Sequence, residues 1–199
     1  MQNMEPDLLT NSHATNTMCA FSSLALNLQG FKEGSNILTN KGYIPIEDLR
    51  KGDLVRTVLN GFKMINMIGK REDTYELSSE RIKSQFYKCV KENYPDLFED
   101  LIITGSHAIL VDDFVSEEQR DKVKEVLGDI YITNNKYRLP ACADDLASLY
   151  ETSGKHTIYN LALDNDNYYS NYGIYANGLL VETCSKRYLK ELSNMELIE

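Results

Sequence analysis

Three histidines, at 13, 107 and 156, and four cysteines, at 19, 89, 142 and 184, are the side chains best suited to act as bases, nucleophiles or soft metal ligands. They do not cluster, and no CxxC pair is present, so the common zinc sites are excluded and no metal or other cofactor is expected. Cys142 stands beside Asp144 and Asp145, whose charges raise a thiol pKa, which makes it a poor nucleophile. Cys89 reads as a core thiol. Asp164-Asn165-Asp166-Asn167 opens like a calcium loop, but Tyr169 takes the sixth position and Tyr175 the twelfth, where glycine and glutamate are required. His107 differs from these. It follows Gly105-Ser106 at a turn between two apolar runs, 101–104 and 108–111, and can point from that turn toward whatever the strands carry.

The elements that would position such a histidine are short strands punctuated by turns. Ile37-Leu38-Thr39 reverses at Asn40-Lys41-Gly42 and continues through Ile44, Ile46 and Leu49. A second turn at Lys51-Gly52-Asp53 leads into Leu54-Val55-Arg56-Thr57. Asn60-Gly61 is a hairpin signal, 68–77 is strand-like, 157–163 alternates polar and apolar residues, and Asn177-Gly178 precedes another run at 179–184. The chain therefore reads as all-β. Helices are expected in three places. Ile82, Phe86, Cys89 and Val90 share one helical face within 79–93, closed by Tyr94-Pro95. Ser116 and Gln119 have capping-box spacing before Val123, Val126 and Leu127, with Gly128 as the stop. That helix, and a hairpin turning at Asn134-Asn135, form an insertion over about 112–150. Tyr188, Leu189, Leu192 and Met195 mark a short amphipathic helix within 185–199.

With 199 residues, 42% hydrophobic and 26% charged, the chain has material for one domain with a sizeable core. Its net charge of −9 argues against a duplex-binding groove, so no nucleic-acid partner is expected. The apolar run 18–28 is too short to span a bilayer and lacks a basic flank, which excludes a membrane anchor or a secretory signal. It reads as a strand or flap on the core, within a leader covering 1–29. Dispersed, unpaired cysteines point to a reducing, cytosol-like compartment.

Three blocks resemble the Hint family, the self-processing fold shared by inteins and the hedgehog C-terminal domain. The first is Gly30-Phe31-Lys32-Glu33-Gly34-Ser35-Asn36-Ile37-Leu38-Thr39 with Ile46-Glu47-Asp48-Leu49-Arg50-Lys51-Gly52-Asp53-Leu54-Val55. The second is Thr104-Gly105-Ser106-His107 and the apolar strand after it. The third runs from Tyr159-Asn160-Leu161 to Leu180-Val181-Glu182-Thr183-Cys184. The resemblance covers about 30–184, its ending is closer to the hedgehog type, and the style of the insertion is similar to Hint domains of large DNA viruses. It implies a horseshoe of β-hairpins with pseudo-twofold symmetry, small helical insertions and autocatalytic cleavage at the Gln29–Gly30 peptide. The substrate would be the chain's own N-terminal segment.

The family's chemistry would begin with a thiol at position 30 attacking the Gln29 carbonyl to give a thioester. Thr104 and His107 would activate the scissile peptide, His107 protonating the departing amine. Cys184 would assist or accept, and water or a small thiol would resolve the thioester. The departures carry equal weight. Gly30 has no attacking atom. Glu182 and Thr183 replace the penultimate histidine and terminal asparagine, so succinimide formation and ordinary splicing are not expected. Asn160, an aspartate in many inteins, can hydrogen-bond but not act as a base. Cys19 is out of register as a substitute nucleophile, whereas Cys184 could attack the Gln29 carbonyl by a branched route. A natural silencing and a deliberate substitution fit Gly30 equally well, and a non-catalytic interaction module is the rival reading.

Overall fold

A computed structural model describes residues 29–199. All of the expected leader but Gln29, with the 18–28 run and Cys19, lies outside the described residues. Among the described residues, fifteen strands and one α-helix follow in order. They are β1 (Phe31–Lys32), β2 (Asn36–Thr39), β3 (Gly42–Pro45), β4 (Leu54–Arg56), β5 (Phe62–Tyr75), β6 (Phe86–Cys89), β7 (Leu101–Thr104) and β8 (Ala108–Val111). Helix α1 (Glu117–Leu127) precedes β9 (Ile132–Thr133), β10 (Lys136–Pro140), β11 (Ser148–Leu149) and β12 (Gly154–Leu163). The last strands are β13 (Gly173–Ala176), β14 (Leu179–Glu182) and β15 (Glu196–Ile198). All pairings between these strands are antiparallel, and the all-β expectation holds.

The long pair β5·β12 is the spine. It runs in register from Gly154 opposite Tyr75 to Ala162 opposite Met67, with an irregularity before Leu163. Strand β1 is slotted between β7 and β12, Phe31 lying opposite Ile103 on one side and Tyr159 on the other. That slot delivers the Gln29–Gly30 peptide to the middle of the sheet. Phe31, Ile37, Ile46, Leu49, Ile68 and Tyr87 are fully buried and anchor the surrounding core. Each such side chain contributes about 1.5–3 kcal/mol by leaving water.

One expected helix is absent. Within 79–93 the chain forms β6, whose Phe86, Tyr87, Lys88 and Cys89 pair with Thr104 through Leu101 of β7. Ile82, on the supposed apolar helical face, is exposed, while Phe86, Tyr87 and Cys89 are buried. A four-residue aromatic run paired along its whole length outweighs a helical period carried by only four positions.

The second helix forms as expected. Ser116 Oγ accepts the Gln119 N–H at 3.2 Å. Gln119 Oε1 reaches back one residue further than the usual box, accepting from Val115 N–H at 3.0 Å. Gly128 closes α1 in the left-handed conformation at φ 86, donating to the Lys124 carbonyl. Asn134 and Asn135, at φ 50 and 65, make the β9–β10 turn. Strand β10 then pairs with β8, so this region is stitched into the sheet.

The helix expected within 185–199 is only a short turn of π type at Tyr188–Leu192, followed by β15. Wide spacing turns Leu192 outward while Tyr188, Leu189 and Met195 pack inward. Ser193 N–H bonds the Tyr188 carbonyl at 2.9 Å, and β15 adds to β5 with Leu197 opposite Gly69.

Candidate functional site

The peptide between Gln29 and Gly30 is held on both faces. Gly30 N–H donates to Thr104 Oγ1 at 3.0 Å. Thr104 N–H returns a bond to the Gly30 carbonyl, also at 3.0 Å. Thr104 ends β7, beside β1, so sheet register alone brings its hydroxyl to this nitrogen. The Gln29 carbonyl accepts from Asn160 Nδ2 at 3.1 Å and from the Tyr188 hydroxyl at 3.3 Å. Leu161 N–H donates to Asn160 Oδ1 at 2.9 Å, which fixes the amide with its nitrogen toward Gln29. Two donors converging on one carbonyl oxygen have the form of an oxyanion hole.

Position 30 is tight without being left-handed. A Cβ added there would stand 3.0 Å from the Tyr159 carbonyl oxygen and 3.4 Å from Ile158 Cβ. A cysteine therefore enters only if β12 yields by a few tenths of an ångström. The neighbouring Gly105 is stricter, because its Cβ would lie 2.5 Å from the Ile82 carbonyl and 2.7 Å from the Tyr87 ring. No larger residue fits between Thr104 and His107 at this point without moving the turn.

His107 packs against β1. It is fully buried, and its ring stands 4.3 Å from that of Phe31, tilted by 60°. Among the described residues neither ring nitrogen has a hydrogen-bond partner. Burial lowers its pKa from 6.5 to about 3; the nearby Glu182 carbonyl opposes this, though it makes no well-directed bond to the ring. Burial therefore favours the neutral imidazole and makes it a weak base.

Glu182 is also buried. Arg138 Nε lies 2.6 Å from its carboxylate, and the Thr133 hydroxyl donates to it. The Asn171 and Gln29 side chains complete its surroundings. Burial raises the Glu182 pKa and Arg138 lowers it, burial being the stronger. A cavity of about 150 Å³ opens here, lined in part by Gln29, Ser106, Arg138, Asn171, Glu182 and Tyr188.

The other expected site residues stand apart from the scissile peptide's immediate bonds. Cys184 Sγ donates to the Leu161 carbonyl at 3.3 Å, and complete burial raises its pKa well above the usual thiol value. Thr183 Oγ1 accepts from Tyr172 N–H at 3.0 Å, tying down the β13–β14 hairpin. Cys89, Cys142 and Cys184 are free and buried. The Cys142 pKa is raised, but chiefly by burial; its charged neighbours, Lys83 and Arg81, lower it, contrary to the expected effect of nearby carboxylates. Asp144 instead accepts from the Tyr94 hydroxyl at 2.7 Å. Tyr188 was hidden in the sequence as one apolar position of a short helix, and no spacing pointed from it to residue 29.

Residues 29–127 match the family model described as the Hint domain. No curated protein matches the chain. Among solved structures, the solution structure of a bacterial intein-like domain from Clostridium thermocellum is 18% identical, with a TM-score of 0.45, covering 78% of this chain and 98% of that one. The crystal structure of the gp41-1 intein is 11% identical with a TM-score of 0.43, covering 77% and 97%. The Ssp DnaB mini-intein variant M86 is 11% identical with a TM-score of 0.42, covering 80% and 96%. Among the described residues no helix is long and apolar enough to cross a membrane.

Proposed function

The chain carries a Hint/intein-like domain, matched over residues 29–127, and from that premise we propose that its parent activity is autocatalytic cleavage between Gln29 and residue 30. With glycine at position 30 the chain is arrested before the first step. The observation that carries this reading is the grip on both ends of one peptide bond, by Thr104 Oγ1 on the nitrogen and Asn160 Nδ2 on the carbonyl oxygen.

In a chain with cysteine at 30, the sulfur forms a bond to the Gln29 carbonyl carbon while the carbonyl electron pair moves to oxygen. Collapse of that adduct breaks the bond to nitrogen and leaves a thioester and an amine. The thiol proton ends on the amine; His107 is the family-type carrier, although burial makes it a weak base here, and Thr104 keeps the nitrogen in place. Water or a small thiol then takes the acyl group. Cys184 is a weak candidate for the branched attack because burial keeps its thiol protonated.

Restoring the nucleophile tests the reading. Gly30→Cys, incubated with hydroxylamine and followed by mass spectrometry, is expected to release 1–29 as the Gln29 hydroxamate, with none from the glycine parent. No such fragment from a folded Gly30→Cys chain would refute it. One observation favours a second reading, a non-catalytic module on the same fold: the 3.0 Å approach of Tyr159 to a Cβ at position 30 suits glycine.

A further inference from the structure

We infer that the segment after Cys184 completes the site, and that Tyr188 is a catalytic residue that shares with Asn160 the negative charge developing on the Gln29 carbonyl oxygen. This rests on the self-cleavage reading and adds to it a donor from outside the region of family resemblance. The Tyr188 hydroxyl engages both backbone polar groups of Gln29, accepting from its N–H at 3.0 Å and donating to its carbonyl at 3.3 Å. Burial raises the phenol pKa above its ordinary value of 10.0, so the hydroxyl remains a donor at any physiological pH.

What holds Tyr188 there is built into the spine. Gly69 lies opposite Asn160 on one side of β5 and opposite Leu197 of β15 on the other. A Cβ on Gly69 would come within 2.9 Å of Met195 Cβ and 3.1 Å of Leu189 Cδ2. The missing side chain is thus the seat on which the π turn and β15 rest. Arg71, two residues along β5, donates to the Ser193 carbonyl at 2.7 Å while Asp73 holds its guanidinium. Ser185 Oγ accepts the Tyr188 N–H at 3.2 Å. Both donors on the Gln29 carbonyl are therefore set by the same point on β5, one through β12 and one through β15.

During attack by a cysteine at 30, the carbonyl electron pair moves to oxygen and is met by Asn160 N–H and Tyr188 O–H. When the adduct collapses and the carbon–nitrogen bond breaks, that pair returns to the carbonyl. Tyr188 begins and ends as a neutral phenol, with no net proton transfer.

The test places Tyr188→Phe in the Gly30→Cys chain, which keeps the ring and removes the hydroxyl. Cleavage is followed after dilution from denaturant. The expected result is a rate lower by about 10²–10³-fold, the usual loss when one oxyanion donor is removed. Gly69→Val, which unseats the segment without touching Gln29, is expected to give a comparable loss. An unchanged rate in Tyr188→Phe overturns the inference while leaving the self-cleavage reading intact; failure of Gly30→Cys itself to cleave overturns that reading instead. A second measurement is independent of both cleavage and refolding yield. In the glycine chain labelled with ¹³C at the Gln29 carbonyl, Tyr188→Phe is expected to move that resonance upfield as a hydrogen bond is lost. A resonance that stays in place in the folded variant also overturns the inference.

Discussion

Asn160 Nδ2 lies 3.1 Å from the Gln29 carbonyl oxygen, and the amide cannot turn away without giving up the bond from Leu161 N–H to its Oδ1. The side chain is a positioned donor. At this position an aspartate would present only acceptors to the carbonyl at neutral pH.

Removing that donor should therefore slow cleavage without unfolding the chain. In the Gly30→Cys background, Asn160→Ala is expected to lower the first-order rate by about 10²–10³-fold. Asn160→Asp is expected to be at least as slow at pH 7, because its charge opposes the one forming on oxygen. Time courses by mass spectrometry check both. An Asn160→Asp chain as fast as the asparagine chain would refute the role of Asn160 as a donor to the carbonyl.

Position 30 should accept a small side chain at modest cost. Replacing glycine by alanine at a compatible φ is worth about 0.4–1 kcal/mol through the unfolded chain. The 3.0 Å contact with Tyr159 offsets that gain. Thermal unfolding of Gly30→Ala is expected to stay within about 4 °C of the parent. A fall beyond about 10 °C would mean that β12 does not yield, and would weigh toward the non-catalytic reading.

The pair between half-buried Arg138 and buried Glu182 joins β10 to β14, and one partner cannot be removed cheaply. Arg138→Met leaves a buried carboxyl with its main counter-charge gone, which is expected to cost about 3–5 kcal/mol in urea unfolding. The double variant Arg138→Met, Glu182→Leu should recover most of that loss. If the single and double variants are equally destabilised, packing rather than charge accounts for the effect.

His107 imposes a pH dependence whose sign follows from its burial. Its folded pKa, about 3, lies below the ordinary 6.5, so between these values the unfolded chain binds a proton that the folded chain does not. Stability from this group is complete above pH 6.5 and declines as the pH falls toward 3. Between pH 6.5 and pH 4.5 the loss is about 2–3 kcal/mol. Denaturation at pH 7 and 4.5, compared with His107→Phe, isolates the term. The variant is expected to lose less stability on acidification, and an equal loss in both chains would refute the assignment.

Much of the fold was legible because turns announce themselves locally. Asn60-Gly61, Asn134-Asn135 and Asn177-Gly178 each mark a real reversal, and the Ser116 cap and Gly128 stop bound a real helix. The errors came where tertiary pairing decides. Phe86 to Cys89 became a strand because β7 lies alongside, which no local pattern reveals. For the candidate site, motif blocks named Thr104, Asn160 and the Gln29–Gly30 peptide, and the sheet brings these together. Tyr188 was missed because its position depends on a fold-back across β5, more than a hundred residues away in sequence.

Strand β15 is three residues long and, among the described residues, pairs with β5 alone. Such an edge opens at a free energy far below that of global unfolding. Readiness of the Gln29 carbonyl is then a local equilibrium with its own temperature and denaturant dependence. As conditions harshen, reactivity in a Gly30→Cys chain should fade while the β5·β12 spine is still intact, and amide exchange at Leu197 should report that fading before any global signal does.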